Sequence, residues 1–150
     1  MEDPQLYHHI WLVSAGMIAG TTVVHAVFIA SAAVALRFIV RPARGVFRFF
    51  RDSAVLAVLA LWLMAAHLFK IVMWAGIFLH NELFDGWEAA IYFAAACYTT
   101  LGFGDLLLPA QWRLLSGATA ANGFMLFGLT TAFLFEVLRQ LNLAGNHRSG

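Results

Sequence analysis

The chain has 150 residues, of which 62% are hydrophobic and 11% charged, with a formal net charge of +1 and a single cysteine. A soluble domain carries about one charged residue in four, so this balance excludes a soluble fold, and one cysteine excludes an intrachain disulfide. The charges sit in short stretches and leave apolar runs long enough to cross a bilayer, which takes about 20 helical residues.

The first run covers residues 10–36. Glu2 and Asp3 stand where a secretory leader carries basic residues, and the run is longer than a leader's apolar core, so the helix is expected to be retained. Gly16 and Gly20 have the spacing that lets helices approach closely, which predicts packing against the outside of the remaining spans. His25 falls near the middle of this run.

Residues 37–53 hold Arg37, Arg41, Arg44, Arg48 and Arg51, the one dense basic cluster. Their spacing puts all five on one helix face, with Phe47, Phe49 and Phe50 on the membrane side and Pro42 suited to a first turn. The positive-inside bias makes this a cytoplasmic linker; its arginines either merely set the topology or, on an interfacial helix, place Arg41, Arg44, Arg48 and Arg51 for anionic lipid headgroups. The N-terminus is then outside and the C-terminus cytoplasmic, where Arg139 and Arg148 agree. Only Arg37 borders a span, which argues against a voltage sensor.

The second run, 54–79, carries His67 and Lys70 near its middle. An ionised side chain there costs at least about 2.5 kcal/mol, so both are expected to find polar partners on the first helix, the next, short helix or a neighbouring subunit. The short apolar stretch 87–98 reaches only about 18 Å as a helix against a hydrocarbon core of about 30 Å, so it must enter the membrane and turn back. Asp85 as cap, with Glu88 three residues later, reads as a capping box. The helix would end at Tyr98 with its negative end toward a cavity, favouring a cation there. Cys97 reads as packing.

Next in the chain come Thr99, Thr100, Leu101, Gly102, Phe103, Gly104 and Asp105. Irregular backbone at membrane depth must be buried in protein or line a water-filled path. Glycines at alternate positions permit angles closed to other residues, so successive carbonyls can turn toward one axis and, with the Thr100 hydroxyl below, replace a cation's hydration shell.

This segment resembles the potassium-channel filter Thr-Val-Gly-Tyr-Gly-Asp, with Leu101 for valine and Phe103 for tyrosine. The resemblance covers about residues 54–138, the two-span pore module of small bacterial and two-pore-domain potassium channels, and leaves the first helix outside. It implies K+ held by the backbone carbonyls of Thr100, Leu101, Gly102 and Phe103, with Gly104 completing the filter and Thr99 and Asp105 flanking it. It also implies a homotetramer, because one filter segment cannot ring an ion. Flow would be passive, with no enzyme chemistry, no organic cofactor and no nucleic-acid partner. Two departures stand out. The paired tryptophans that brace the filter tyrosine in many relatives are replaced by Tyr92 and Phe93, and the polar group that some place behind the filter is Ala96.

The third run, 114–138, contains a stretch that resembles the inner helix of these channels, with Gly123 at the usual hinge. A glycine there costs about 1 kcal/mol of helix propensity, which either bending or close packing justifies. In that register Phe127, Thr131 and Phe135 line the path, with Phe135 a hydrophobic constriction that gates by dewetting.

The expectation is an all-α membrane protein of three transmembrane helices plus a re-entrant pore helix and filter loop, assembled as a tetrameric pore. Its divisions are 1–36, an extra helix; 37–53, the basic linker; 54–139, the pore module; and 140–150, a cytoplasmic tail. Alternatives are a weakly selective cation channel or a Trk-type transporter subunit. A different class is a non-conducting accessory or redox subunit in which His25 and His67, at matched depth, ligate a haem.

Overall fold

The computed structural model of the chain describes residues 4–39 and 46–146. It contains α1 (Pro4–Ile39), α2 (Val46–His80), α3 (Trp87–Tyr98), a 3₁₀ turn (Ala110–Trp112) and α4 (Arg113–Asn146), with no strand among the described residues. The three long helices are apolar enough to cross a membrane. All overrun the apolar runs that mark them. At 36 residues, α1 is about 54 Å long against a core of about 30 Å, so its ends project or it tilts.

The described parts of the basic segment belong to the two long helices that flank it. Arg37 lies in the last turn of α1, and Val46–Ser53 form the first turns of α2, because the breakers Pro42 and Gly45 both lie upstream of Val46. Arg41 and Arg44 fall outside the described residues.

Helix α2 ends in a doubly hydrogen-bonded turn. Glu82 takes a left-handed conformation (φ 53°), its N–H donates to the Leu79 carbonyl, and the Leu83 N–H donates to Phe78, both at 2.9 Å. Leu83 then packs into the core, so orphan carbonyls are satisfied and the chain is turned toward α3. The start of α3 corrects the predicted capping box. The cap is Gly86, in extended conformation and with no side-chain cap bond, so the helix opens one residue later than the Asp85–Glu88 spacing requires. Glu88 remains in the first turn, where a carboxylate favours the helix's positive end.

The main core lies at the α3 level, where Trp74 and Phe78 of α2, Phe93 and Tyr98 of α3, and Leu126 of α4 are buried with Ile10 of α1. Phe93 meets Phe78 edge-on, with ring centres 5.2 Å apart. A smaller cluster of Ala32, Leu59, Val137 and Leu141 closes the opposite end. Helix α1 packs against both α2 and α4, but not through a close approach at Gly16 and Gly20, where an added Cβ would meet nothing within 4 Å.

Helices α3 and α4 cross in close contact at Gly123. A Cβ placed on Gly123 would fall 1.8 Å from the Tyr98 carbonyl oxygen and 2.7 Å from its carbon, both rigid backbone atoms. Close approach therefore accounts for this glycine without any bend. Gly123→Ala should force α3 and α4 apart, at the overpacking cost of about 1–3 kcal/mol or more. Gly117→Ala, where a Cβ meets nothing within 4 Å, should leave the fold intact. Melting of the purified protein in detergent distinguishes them: equal melting temperatures for both variants would show that the contact does not constrain the fold.

Candidate functional site: the re-entrant loop and the elements behind it

Beyond Tyr98 the backbone alternates in hand. Positive φ falls on Thr100 (60°), Gly102 (53°) and Gly104 (80°), while Leu101 and Phe103 between them stay in the ordinary half of the map. Alternation of this kind gathers N–H groups on one edge of a ribbon and carbonyls on the other. The N–H edge is tied back to α3: Thr99 donates to Ala95 (3.0 Å), Thr100 to Cys97 (2.9 Å), and Leu101 and Gly102 both to Ala96 (2.9 and 3.1 Å). Among the described residues no backbone N–H reaches the carbonyls of Thr100, Leu101, Gly102 or Phe103. A threonine at φ 60° costs about 1–3 kcal/mol, and such strain persists where the surroundings over-determine it.

Behind the loop lies a cavity of about 430 Å³ lined by Phe93, Ala96 and Cys97 of α3 and by Phe103, Leu108 and Ser116. No polar side chain of α3 crosses it to the middle of the loop. The brace lies higher, where the Tyr92 hydroxyl donates to Asp105 Oδ2 at 2.7 Å. Sequence reasoning missed this bond because it sought a partner for residue 103, whereas residue 92 reaches the residue after the loop. The hydroxyl beside it holds the Asp105 carboxyl below its ordinary range, and the carboxylate in turn raises the Tyr92 hydroxyl.

A buried polar chain joins all four helices beneath the loop. Lys70 Nζ donates to His25 Nδ1 at 2.7 Å, and His25 Nε2 lies 3.4 Å from the Thr130 hydroxyl. His67 places Nε2 at 2.8 Å from Thr130 Oγ1 and Nδ1 at 3.1 Å from the Tyr98 hydroxyl. One proton assignment satisfies every link: Lys70 to His25, His25 to Thr130, Thr130 to His67, His67 to Tyr98. The partners expected on the first helix and the short helix are thus His25 and Tyr98, while Glu88 and Glu136 take no part. All four imidazole nitrogens are engaged and the rings lie 5.3 Å apart, so neither histidine offers a free nitrogen to a haem iron.

On α4 the structure separates the three residues grouped by the sequence. Phe135 and Thr131 are exposed. Phe127 is half-buried and faces the subunit interior, its ring stacked on His67 with centres 4.0 Å apart and planes 9° from parallel. Four-residue steps advance about 40° beyond whole turns on a 3.6-residue helix, so such a row winds off one face. Phe124, at 74% exposure, shares the open face instead.

A re-entrant helix and a carbonyl-presenting loop between two full spans are the construction of a pore-forming membrane protein. The chain belongs to the ion-channel family: the family model described as "Ion channel" matches residues 56–140, more than half of the sequence. That match contains most of α2, all of α3 and the loop, and most of α4, whereas α1 lies outside it. This is not an enzyme class. No curated protein and no solved structure matches the chain.

These contacts can be tested at two points. Breaking the polar chain on one side by His25→Leu leaves a buried amine unpaired and should destabilise by about 3 kcal/mol, whereas Lys70→Met with His25→Leu should cost much less. Thermal melting of the four corners of the cycle gives the coupling, and additive losses would show that the two residues do not interact. For the mouth, a depressed carboxyl means that the Tyr92–Asp105 bond is fully present above the ordinary aspartate range of about 4 and is lost as pH falls through the lowered value. Tyr92→Phe should return the Asp105 carboxyl upward toward that range in an NMR titration; an unchanged midpoint would contradict the bond.

Proposed function

We propose that the protein is a potassium-selective channel subunit that passes K+ passively through a homotetramer, with Thr100, Leu101, Gly102, Phe103 and Gly104 of four copies forming the filter. The single observation that carries this reading is the alternation of φ at residues 100, 102 and 104 with the N–H edge tied to α3, which leaves a row of carbonyls as the free edge. Four such edges around one axis would replace the hydration shell of a dehydrated cation. The large exposure of Leu101 (59%) and Phe103 (66%) in the single chain fits surfaces awaiting neighbouring copies.

In this assembly Phe124, Thr131 and Phe135 face the conduction path, with Phe135 the constriction on the cytoplasmic side. Arg48 donates to the Leu141 carbonyl at 2.9 Å, fixing the start of α2 to the end of the inner helix just beyond that constriction. Asp105, kept ionised by Tyr92, concentrates cations at the outer mouth. The N-terminus is outside and the C-terminus cytoplasmic, on the strength of the arginines of residues 37–53.

A weakly selective cation channel is the second reading. It is favoured by the cavity behind the loop and by Phe103, which has no hydroxyl to pin the filter at one width. Reconstituted liposomes decide between them. Verified tetramers should pass K+ far better than Na+ and be blocked by Ba2+. Gly102→Ala, which puts a side chain at φ 53°, should abolish the flux. Equal K+ and Na+ flux selects the second reading, and no cation flux from verified tetramers overturns both.

A further inference from the structure

Tyr98 is held at its two ends by contacts of opposite kind. Its carbonyl lies against Gly123 with no room for a Cβ between them, a repulsive wall that stops α3 from moving closer to α4. A wall does not oppose withdrawal. At the far end of the residue the hydroxyl meets His67 Nδ1 at 3.1 Å, an attractive tie to α2 that does. Wall and tie together define one position for the end of α3, and either alone leaves a direction free.

The tie is only as firm as His67, and His67 has little room to yield. It is 1% exposed, its Nε2 accepts from Thr130 Oγ1 of α4 at 2.8 Å, and its ring lies flat on Phe127. With Nε2 accepting, Nδ1 carries the proton and donates to Tyr98. Phe127 also touches the Tyr98 ring, with centres 5.8 Å apart, so the three rings form one cluster between α2, α3 and α4. A flat side chain engaged at both nitrogens and covered on one face acts as a rigid spacer between α4 and the end of α3.

Any displacement of Tyr98 is passed to the loop. The N–H groups of residues 99–102 donate to the carbonyls of Ala95, Ala96 and Cys97, so the lower loop moves with the last turn of α3. The mouth bond from Tyr92 to Asp105 joins α3 to the same loop and moves with them, so it gives no reference to the rest of the fold. His67 gives that reference. We propose that His67 is a positioning residue for the loop: through the Tyr98 hydroxyl it sets how far the Thr100 and Leu101 carbonyls stand from the ion path. Repeated in four copies, that distance fixes the width of the carbonyl rings and hence the discrimination between K+ and Na+. The effect on ions rests on the reading of residues 100–104 as the filter, whereas the positioning does not.

The test takes full-length protein in liposomes, as verified tetramers, and reads the carbonyl carbon resonances of Thr100 and Leu101 by solid-state NMR beside the K+/Na+ flux ratio. His67→Phe keeps a ring against Phe127 and removes both nitrogens, at a position remote in sequence from the loop. It should move both resonances and lower the flux ratio about fivefold, the factor that corresponds to about 1 kcal/mol, one net hydrogen bond. Tyr98→Phe, which removes a single oxygen, should lower the ratio by the same factor and guards against a misfolded His67 variant. Adding it to His67→Phe should bring no further loss. Leu59→Ala opens a cavity in the cluster at the opposite end and lowers the melting temperature, yet should leave both readouts at their wild-type values. Unmoved resonances in His67→Phe tetramers overturn the proposal whatever the flux. Additive losses, or an equal change in Leu59→Ala, show a merely structural role and overturn it too. Equal K+ and Na+ flux through the wild type defeats the selective reading of the loop, while the resonances still decide the positioning.

Discussion

The Tyr98 carbonyl and Gly123 lie too close for any side chain to stand between them, and this contact sets the geometry around the loop. Tyr98 is the last residue of α3, so the crossing fixes where the re-entrant helix stops and hence the depth at which the loop begins. From there the loop has little freedom. Its first N–H groups cap the carbonyls of Ala95, Ala96 and Cys97, and satisfying them forces Thr100 into a left-handed conformation. The alternation that starts there is thus a consequence of ending a helix in low-dielectric surroundings with the donors of residues 99–102 used. Gly102 and Gly104 let the alternation continue without a steric penalty.

The same end of α3 carries a second constraint through its side chain. Tyr98 is fully buried, and its hydroxyl meets His67, which stacks on Phe127 and bonds Thr130. Lys70, one turn along α2 from His67, would be an isolated amine at the middle of a span without His25. Helix α1 is therefore more than an external addition, although it lies outside the family match. It supplies a partner to a buried residue of the pore module and, through Thr21 and Asn122 at 2.9 Å, a second buried bond to the inner helix. Asn122 Oδ1 also accepts from Trp74 at 3.1 Å, so α1, α2 and α4 meet there too.

Much of this arrangement was legible in the sequence, and the reasons differ by element. Spans follow from apolar length, which depends only on composition, and the re-entrant helix follows from being too short to cross. The loop follows from residues whose backbone freedom is nearly unique. The features that were not legible depend on the angle at which helices meet. The spacing of Asp85 and Glu88 suits a capping box, but the chain leaves the α2 turn in a direction that makes Gly86 the cap. Phe127 shares a four-residue row with Thr131 and Phe135, yet the drift of about 40° at each step leaves it off their face and against His67. Nothing local marks His67 as its neighbour. The partners of Lys70 could be narrowed to two helices and a neighbouring copy, but choosing His25 required the depth of α1.

The bracing of the loop is uneven, and that bears on how it would treat ions. Its lower half is bonded to α3 through four N–H groups, and its upper end is held by Tyr92 through Asp105. Between these, Phe103 faces a cavity with no polar side chain from α3 to hold it. A carbonyl ring built from four such loops would be stiff at Thr100 and Leu101 and more compliant at Phe103. If selectivity arises from the number and field strength of the coordinating carbonyls, compliance at one level changes little; if it arises from a fixed cavity size, that level is where discrimination weakens. The mouth bond then matters more than in a loop braced at its middle, because among the described residues it is the one side-chain hydrogen bond between α3 and the segment above Phe103. Its loss at acidic pH would free the loop from Phe103 to Asp105 while leaving Gly102 and the strained Thr100 held by α3.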